Sequence, residues 1–241
     1  MKIQVLHIQV DQVDMAESIQ RISAAIASAD TLRVVTANPE MIYAAEQDAS
    51  LQEVLNSAGL VVPDGTGVVW AARRLGYPLK ERVTGIDLLQ RLWPLAHAGK
   101  WRIFVLGNRP GVAEQAVAKL CTVYPDIIWQ VRHGYFEPME ERQIIQQIQS
   151  FNADLLLAGL GSPRQELWLA RQPGLARVSI GVGGSFDVLA GLVPRAPAWM
   201  RRCRLEWLYR LWLEPQRGKR QTALPKFVLA VNRQRKQQQK P

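Results

Sequence analysis

An aspartate held between a strand-like run and a pair of glycines is the first pattern here that could do chemistry. Residues 59–62 are apolar and are followed by Pro63-Asp64-Gly65-Thr66-Gly67. A carboxylate at a strand end, beside glycines that let a ligand come close, suits a general base. The same carboxylate could also cap the following helix. A second strand-like run, residues 33–36, leads into Ala37-Asn38-Pro39-Glu40. Asn38 reads as a cap for a helix opened by Pro39, or as a cleft residue. Arg82, in Glu81-Arg82-Val83-Thr84-Gly85-Ile86-Asp87, precedes another helix. It reads as a phosphate or acceptor contact, or as a solvated loop cation.

Three further strand ends carry glycines: Gly107-Asn108-Arg109-Pro110-Gly111, Gly159-Leu160-Gly161-Ser162-Pro163-Arg164-Gln165-Glu166, and Gly183-Gly184-Ser185-Phe186-Asp187. Free backbone N–H groups at helix starts hold phosphate, and three such loops together point to a nucleotide ligand. The nucleotide is expected on the last of them, at Gly183, Gly184, Phe186 and Asp187. No G-x-G-x-x-G follows the first strand and no G-x-x-x-x-G-K-[ST] occurs, which argues against a dinucleotide dehydrogenase and a P-loop NTPase. No Asp-x-Asp occurs either, so no carboxylate-held divalent cation is expected on a diphosphate.

These loops need a scaffold. Strands are expected at residues 3–6, 33–36, 59–62, 102–106, 127–131, 154–158 and 178–182. Helices are expected at 15–28, 39–45, 51–58, 67–75, 86–98, 112–123, 140–151 and 164–170. Runs such as LLLAGL and RIFVLG are apolar without alternation, as in strands buried on both faces. The alternation of strand and helix implies an α/β, doubly wound, Rossmann-like fold with a mostly parallel sheet. In such sheets ligands bind beyond the carboxyl ends of the strands.

The pattern changes near Ala196. Residues 1–195 read as the α/β catalytic domain and 196–241 as a basic helical appendage. Residues 199–213 (WMRRCRLEWLYRLWL) suggest one continuous helix with Met200, Cys203, Trp207 and Leu211 as a stripe. A second amphipathic helix is expected at 225–235, then a frayed end. The last 47 residues hold 13 Lys+Arg against 2 Asp+Glu, whereas the other 194 hold 17 against 19. So the whole excess of the +9 net charge lies at one end. Such asymmetry suits a polyanionic partner: nucleic acid, an anionic lipid surface or phosphate groups.

The 241 residues are 48% hydrophobic, enough for a full core. Two cysteines, Cys121 and Cys203, exclude a disulfide framework, and three scattered histidines disfavour structural zinc. No apolar run reaches the ~18–20 residues of a membrane span. The start, MKIQVLHIQVDQVD, carries charge too early for a signal peptide.

TANPEM, VVPDGTGVVW, ERVTGIDLL, FVLGNRPGVAEQA, HGYF, GLGSPRQELW, GVGGSFDVLAG, PRAPAW and LEWLYRL with EPQR run through nearly the whole chain. Their order and spacing resemble the WecG/TagA/CpsF family of bacterial glycosyltransferases. The resemblance implies transfer of an N-acetylmannosamine-type sugar from its UDP form to a polyprenyl-diphosphate-linked N-acetylglucosamine at the cytoplasmic face of the membrane. It implies an inverting, metal-independent reaction without a cofactor, and peripheral attachment. By the same resemblance Asp64 is the catalytic base. Thr36, Asn38, Arg82 and Gln165 lie near sugar or acceptor, and Arg210, Arg217 and Arg220 meet the lipid diphosphate. The donor could be another UDP-hexose, and the product could enter a teichoic acid linkage, an enterobacterial-type antigen or an exopolysaccharide. A homo-oligomer is left open. From a different class, a basic-tailed nucleic-acid-binding protein also fits the charge, although it would leave the PDG and GxGxPxQE loops idle. No nucleic-acid partner is therefore expected.

Overall fold

Six apolar strands form one parallel sheet in the computed structural model, which describes residues 1–203, 205–213 and 222–239, with 201, 202 and 210 described by backbone alone. The strands are β3 (Leu32–Ala37), β4 (Leu60–Pro63), β5 (Arg102–Gly107), β6 (Ile128–Arg132), β7 (Leu155–Gly159) and β8 (Val178–Gly181). Their order across the sheet is β4-β3-β8-β7-β5-β6. Every neighbouring pair is parallel, which bears out the α/β, Rossmann-like, doubly wound expectation. β3 and β8, far apart in sequence, are neighbours in register Leu32↔Val178 to Val34↔Ile180.

Period-two geometry divides each strand between two layers. Val34, Leu60, Val62, Ile103, Val105, Leu155, Leu157, Val178 and Ile180 share one core cluster. It includes Ile22 and Ile26 of α1 (Met15–Ser28) and Leu88, Leu92 and Trp93 of α5 (Gly85–Ala98). It also includes Ala113 and Ala116 of α6 (Val112–Val123). The alternate residues face the other layer. Val35, Ala37 and Val61 meet α2 (Pro39–Ala45), α3 (Ala49–Asn56) and α4 (Thr66–Arg74). Phe104, Leu106, Leu156 and Ala158 meet α7 (Glu141–Phe151) and α8 (Arg164–Arg171). Burial on both faces explains why these strands read as unbroken apolar runs.

The N-terminal strand expected at 3–6 is half of a separate antiparallel hairpin, β1 (Lys2–Val5) and β2 (Ile8–Asp11). Its two-residue turn puts Leu6 at φ 54°, so no glycine or asparagine announced it. Asp11, almost fully buried, accepts a hydrogen bond from the Val61 N–H at 2.9 Å and lies 3.2 Å from Arg21. The hairpin thus covers an N–H of β4, the sheet's edge strand.

After β8 come α9 (Ser185–Leu189), α10 (Ala198–Arg202), α11 (Glu206–Leu213) and α12 (Ala223–Gln238). The single helix expected over 199–213 is two. Glu206 starts the second, held by arginines of the body (below), so the stripe through Met200, Cys203, Trp207 and Leu211 is not continuous. Helix α12 runs past the expected 225–235 on both sides. Its Phe227 and Val231 are buried in the cluster shared with α2, α4 and the hairpin. Gln234 accepts from the Leu6 N–H at 2.8 Å, and Asn232 from Arg74 Nε at 3.0 Å. Among the described residues no helix is long and apolar enough to cross a membrane.

Candidate active site

The carboxyl ends of β4, β3 and β8 lie side by side, and the loops leaving them border a cleft of about 1080 Å³. Two of these loops are held together by a proline and two glycines. Pro39 opens α2 after β3, and Gly65 and Gly67 lie after β4. A Cβ on Gly67 would stand 2.5 Å from Pro39 Cγ, so only glycine allows this approach. Gly65 has φ +92°, a conformation L side chains rarely adopt.

Asp64 sits in that junction. Its N–H donates to Ala37 O at 2.8 Å, continuing the β3–β4 ladder by one residue. Its Oδ2 accepts, at a long 3.4 Å, from the N–H of Gly85 at the start of α5. The carboxylate therefore faces the positive end of a helix dipole and borders the cleft. Asn38 does act as the α2 cap, its Oδ1 accepting from Met41 N at 2.9 Å, and it lines the cleft as well. Thr36, 8% exposed, donates from Oγ1 to Gly181 O at 3.2 Å, tying β3 to β8.

Gln165 opens the far wall. Its Oε1 accepts from the Gly183 N–H at 3.2 Å, and its Nε2 donates to Glu166 Oε1 at 2.7 Å. Gly181 has no side chain because a Cβ there would lie 2.7 Å from Gln165 Nε2. Burial raises the Glu166 pKa above the ordinary range. Hydrogen bonds from Gln165, its own backbone and Ser162, with the charge of Arg33, offset this only in part.

Arg82 lines the cleft and its Nη2 lies 3.2 Å from Glu206 Oε2 on α11. Arg195 Nε stands 3.6 Å from Glu206 Oε1, an ion-pair distance without a hydrogen bond, and its Nη2 reaches Asp87 Oδ1 at 2.5 Å. Asp87 also accepts from the Thr84 hydroxyl at 2.5 Å. Burial pushes the Asp87 pKa up, but Thr84, Arg195 and the charge of Arg82 together outweigh it and hold the carboxyl below its ordinary value.

So Asp64, Thr36, Asn38, Arg82, Gln165, Gly183 and Gly184 border one cavity. Phe186 and Asp187 do not. Phe186 is fully buried in the core, where it anchors the glycine loop. Asp187 Oδ2 accepts from Asn108 Nδ2 at 3.0 Å, near the carboxyl ends of β5 and β7. There the backbones crowd: a Cβ on Gly107 would stand 2.4 Å from Gly159 Cα, and the buried Asn108 Oδ1 has no hydrogen-bond partner. Arg217 and Arg220 lie outside the described residues, as does the side chain of Arg210. Among the described residues no three His, Cys, Asp or Glu side chains assemble into a group that could hold a metal ion.

Several bordering residues carried no clear signal in the sequence. Glu206 is an isolated acid in a cationic segment, and that oddity was its only mark. Trp70, Tyr43, Trp207, Leu224 and Val228 add apolar surface to the lining of the cleft. They come from α2, α4, α11 and α12, whose meeting is a tertiary fact. Trp199 and Trp212 are exposed nearby in sequence, at 61% and 75%.

The cleft brings a carboxylate, an arginine and glycine loops together in a partly apolar lining, which suits transfer between a phosphorylated donor and an amphiphilic acceptor. Comparison with known proteins agrees. The chain is similar to an N-acetylglucosaminyldiphosphoundecaprenol N-acetyl-beta-D-mannosaminyltransferase from Staphylococcus aureus (strain MRSA252), 34% identical over 234 residues, covering 95% of this chain and 92% of the relative. The protein of the same name from S. aureus (strain NCTC 8325 / PS 47) matches to the same extent. The sequence model of the glycosyl transferase WecG/TagA/CpsF family matches residues 3–241. With that match over nearly the whole chain and relatives at this identity, the chain belongs to the WecG/TagA/CpsF family of glycosyl transferases.

Proposed function

We propose that this chain moves an N-acetylmannosamine-type sugar from its UDP form to N-acetylglucosaminyl-diphosphoundecaprenol. The observation that carries the reading is the convergence of Asp64, Arg82 and the Gly183–Gly184 loop on one cavity whose lining also includes apolar side chains. The names of the relatives supply the acceptor and the sugar.

Asp64 accepts the proton of the acceptor hydroxyl as that oxygen attacks the anomeric carbon. A single displacement of this kind inverts the anomeric centre. The departing UDP carries the developing charge, and its diphosphate is met by backbone N–H groups of the glycine loops and by guanidinium groups. Thr36, Asn38 and Gln165 position the sugar. The uridine end extends toward Asn108 and Asp187. With no Asp-x-Asp in the sequence, the reaction proceeds without a divalent metal, and activity survives excess EDTA.

The acceptor's diphosphate faces Arg82 and the arginines of the C-terminal segment, Arg210, Arg217 and Arg220. Its lipid leaves past the apolar side chains of Trp70, Trp207 and Val228. The exposed Trp199 and Trp212, within a strongly cationic segment, suit a peripheral helix surface at anionic headgroups on the cytoplasmic face. The product serves cell-surface glycan assembly, as in a teichoic acid linkage.

The test is transfer with a panel of UDP-sugars and a short lipid-diphosphate-N-acetylglucosamine, followed by mass spectrometry. Selective use of UDP-N-acetylmannosamine is expected. Preference for another UDP-hexose would place the chain elsewhere in the family, and no transfer to any diphosphate-linked acceptor would refute the reading.

A further inference from the structure

Glu206 is one of two acids in the last 47 residues, which hold 13 lysines and arginines. Such an acid would ordinarily sit on a solvated face. Here its residue is only 8% exposed, while the next residue, Trp207, is 44% exposed and lines the cleft. Its two oxygens are divided between Arg82, at 3.2 Å, and Arg195, at 3.6 Å. Arg195 is fixed from behind by Asp87 and Gln90. The chain Asp87–Arg195–Glu206–Arg82 therefore ends on a cation that borders the cavity, and among the described residues only its Nη2 is spent on Glu206.

We infer that Glu206 is a positioning residue for Arg82: it grips one edge of the guanidinium so that the remaining donors meet the acceptor's diphosphate, and by the same contact it seats α11, with Trp207, against the cleft. Arginine has five N–H donors in a rigid plane, so holding one edge sets the direction of the others. Arg195, itself held by Asp87, supplies the counter-charge that keeps the Glu206 carboxylate in place at a site that must receive an anion. Without Glu206, Arg82 loses its fixed direction and α11 loses its ionic tie to the body. This inference rests on the proposed role of Arg82 and is tested so that the two can fail separately.

The experiment is a double-mutant cycle on kcat/KM for a short lipid-diphosphate-N-acetylglucosamine, using Arg82→Ala, Glu206→Ala and both together. UDP affinity and melting temperature are measured on each variant. Glu206→Ala is expected to lower kcat/KM at least tenfold, chiefly through KM for the acceptor, with the UDP dissociation constant within twofold of wild type. In the Arg82→Ala background it is expected to cost nothing further. Glu206→Gln, which keeps an oxygen for Nη2, guards against a misfolded alanine variant and is expected to lose less than Glu206→Ala. A full additional loss in the Arg82→Ala background would overturn the inference, because Glu206 would then act through Arg195 and the fold alone. Wild-type kcat/KM in Glu206→Ala would overturn it as well. An unimpaired Arg82→Ala enzyme would instead remove Arg82 from acceptor binding, and the proposed role of Arg82 would fail first.

Discussion

Phe227→Ala measures how firmly the C-terminal helix belongs to the body that carries the cleft. Phe227 is 1% exposed and packs in the cluster of Met41, Ile42, Val68, Ala71 and Val231. Helix α2, which carries Met41 and Ile42, begins at the Asn38 cap in the cleft. Truncating a buried phenylalanine to alanine costs about 3–5 kcal/mol, from lost transfer energy and the cavity left behind. For a chain of this size each kcal/mol moves the melting temperature by roughly 2–4 °C, so a fall of roughly 6–20 °C is expected. Leu229→Ala is the control, because Leu229 is 58% exposed, lies outside the cleft lining and should shift stability by no more than about 0.5 kcal/mol. Both variants are compared by thermal unfolding at one protein concentration and by transfer at a temperature below both transitions. A Phe227→Ala protein melting within about 2 °C of wild type would refute the packing argument and make α12 a detachable appendage.

Asp87→Asn is expected to destabilise the protein at neutral pH. The folded pKa of Asp87 is held below 3.8, so its contribution is present in full above that value and is lost as pH falls through the folded pKa. The stability difference between wild type and variant should therefore shrink in acid, and a difference independent of pH would contradict the ion-pair account. Gly183→Ala places a side chain at φ +51°, costing about 1–2 kcal/mol, and disturbs the N–H that Gln165 accepts. A several-fold weaker UDP affinity in a folded protein is expected, and calorimetry showing no change would move the nucleotide to another loop.

The sheet was legible because its strands are buried on both faces, so runs such as residues 155–159 could hardly be anything else. Helices α1, α2 and α6 fall where their patterns put them, and Asn38 caps α2 as its place before Pro39 suggested. The hairpin was hidden because its turn uses Leu6 and His7. The strand order was hidden too, since nothing local says that β3 lies beside β8. Asp64 was legible from its strand end and glycines. Phe186 was misread in emphasis: its place in a glycine loop suggested ligand contact, yet its side chain is core. Glu206 could not be placed from sequence, because its partners Arg82 and Arg195 lie 124 and 11 positions away and meet it only in the fold.

Asp64 is the proposed base in a cleft that binds its ligands through other residues. The most direct measurement is single-turnover transfer by Asp64→Asn, with UDP affinity measured on the same sample. Asparagine keeps the shape and an oxygen for the Gly85 N–H but cannot take the acceptor's proton. A fall of about 10²–10⁴ in transfer rate, with UDP binding nearly intact, is the expected result. Transfer at a rate near wild type would contradict it and take Asp64 out of the mechanism.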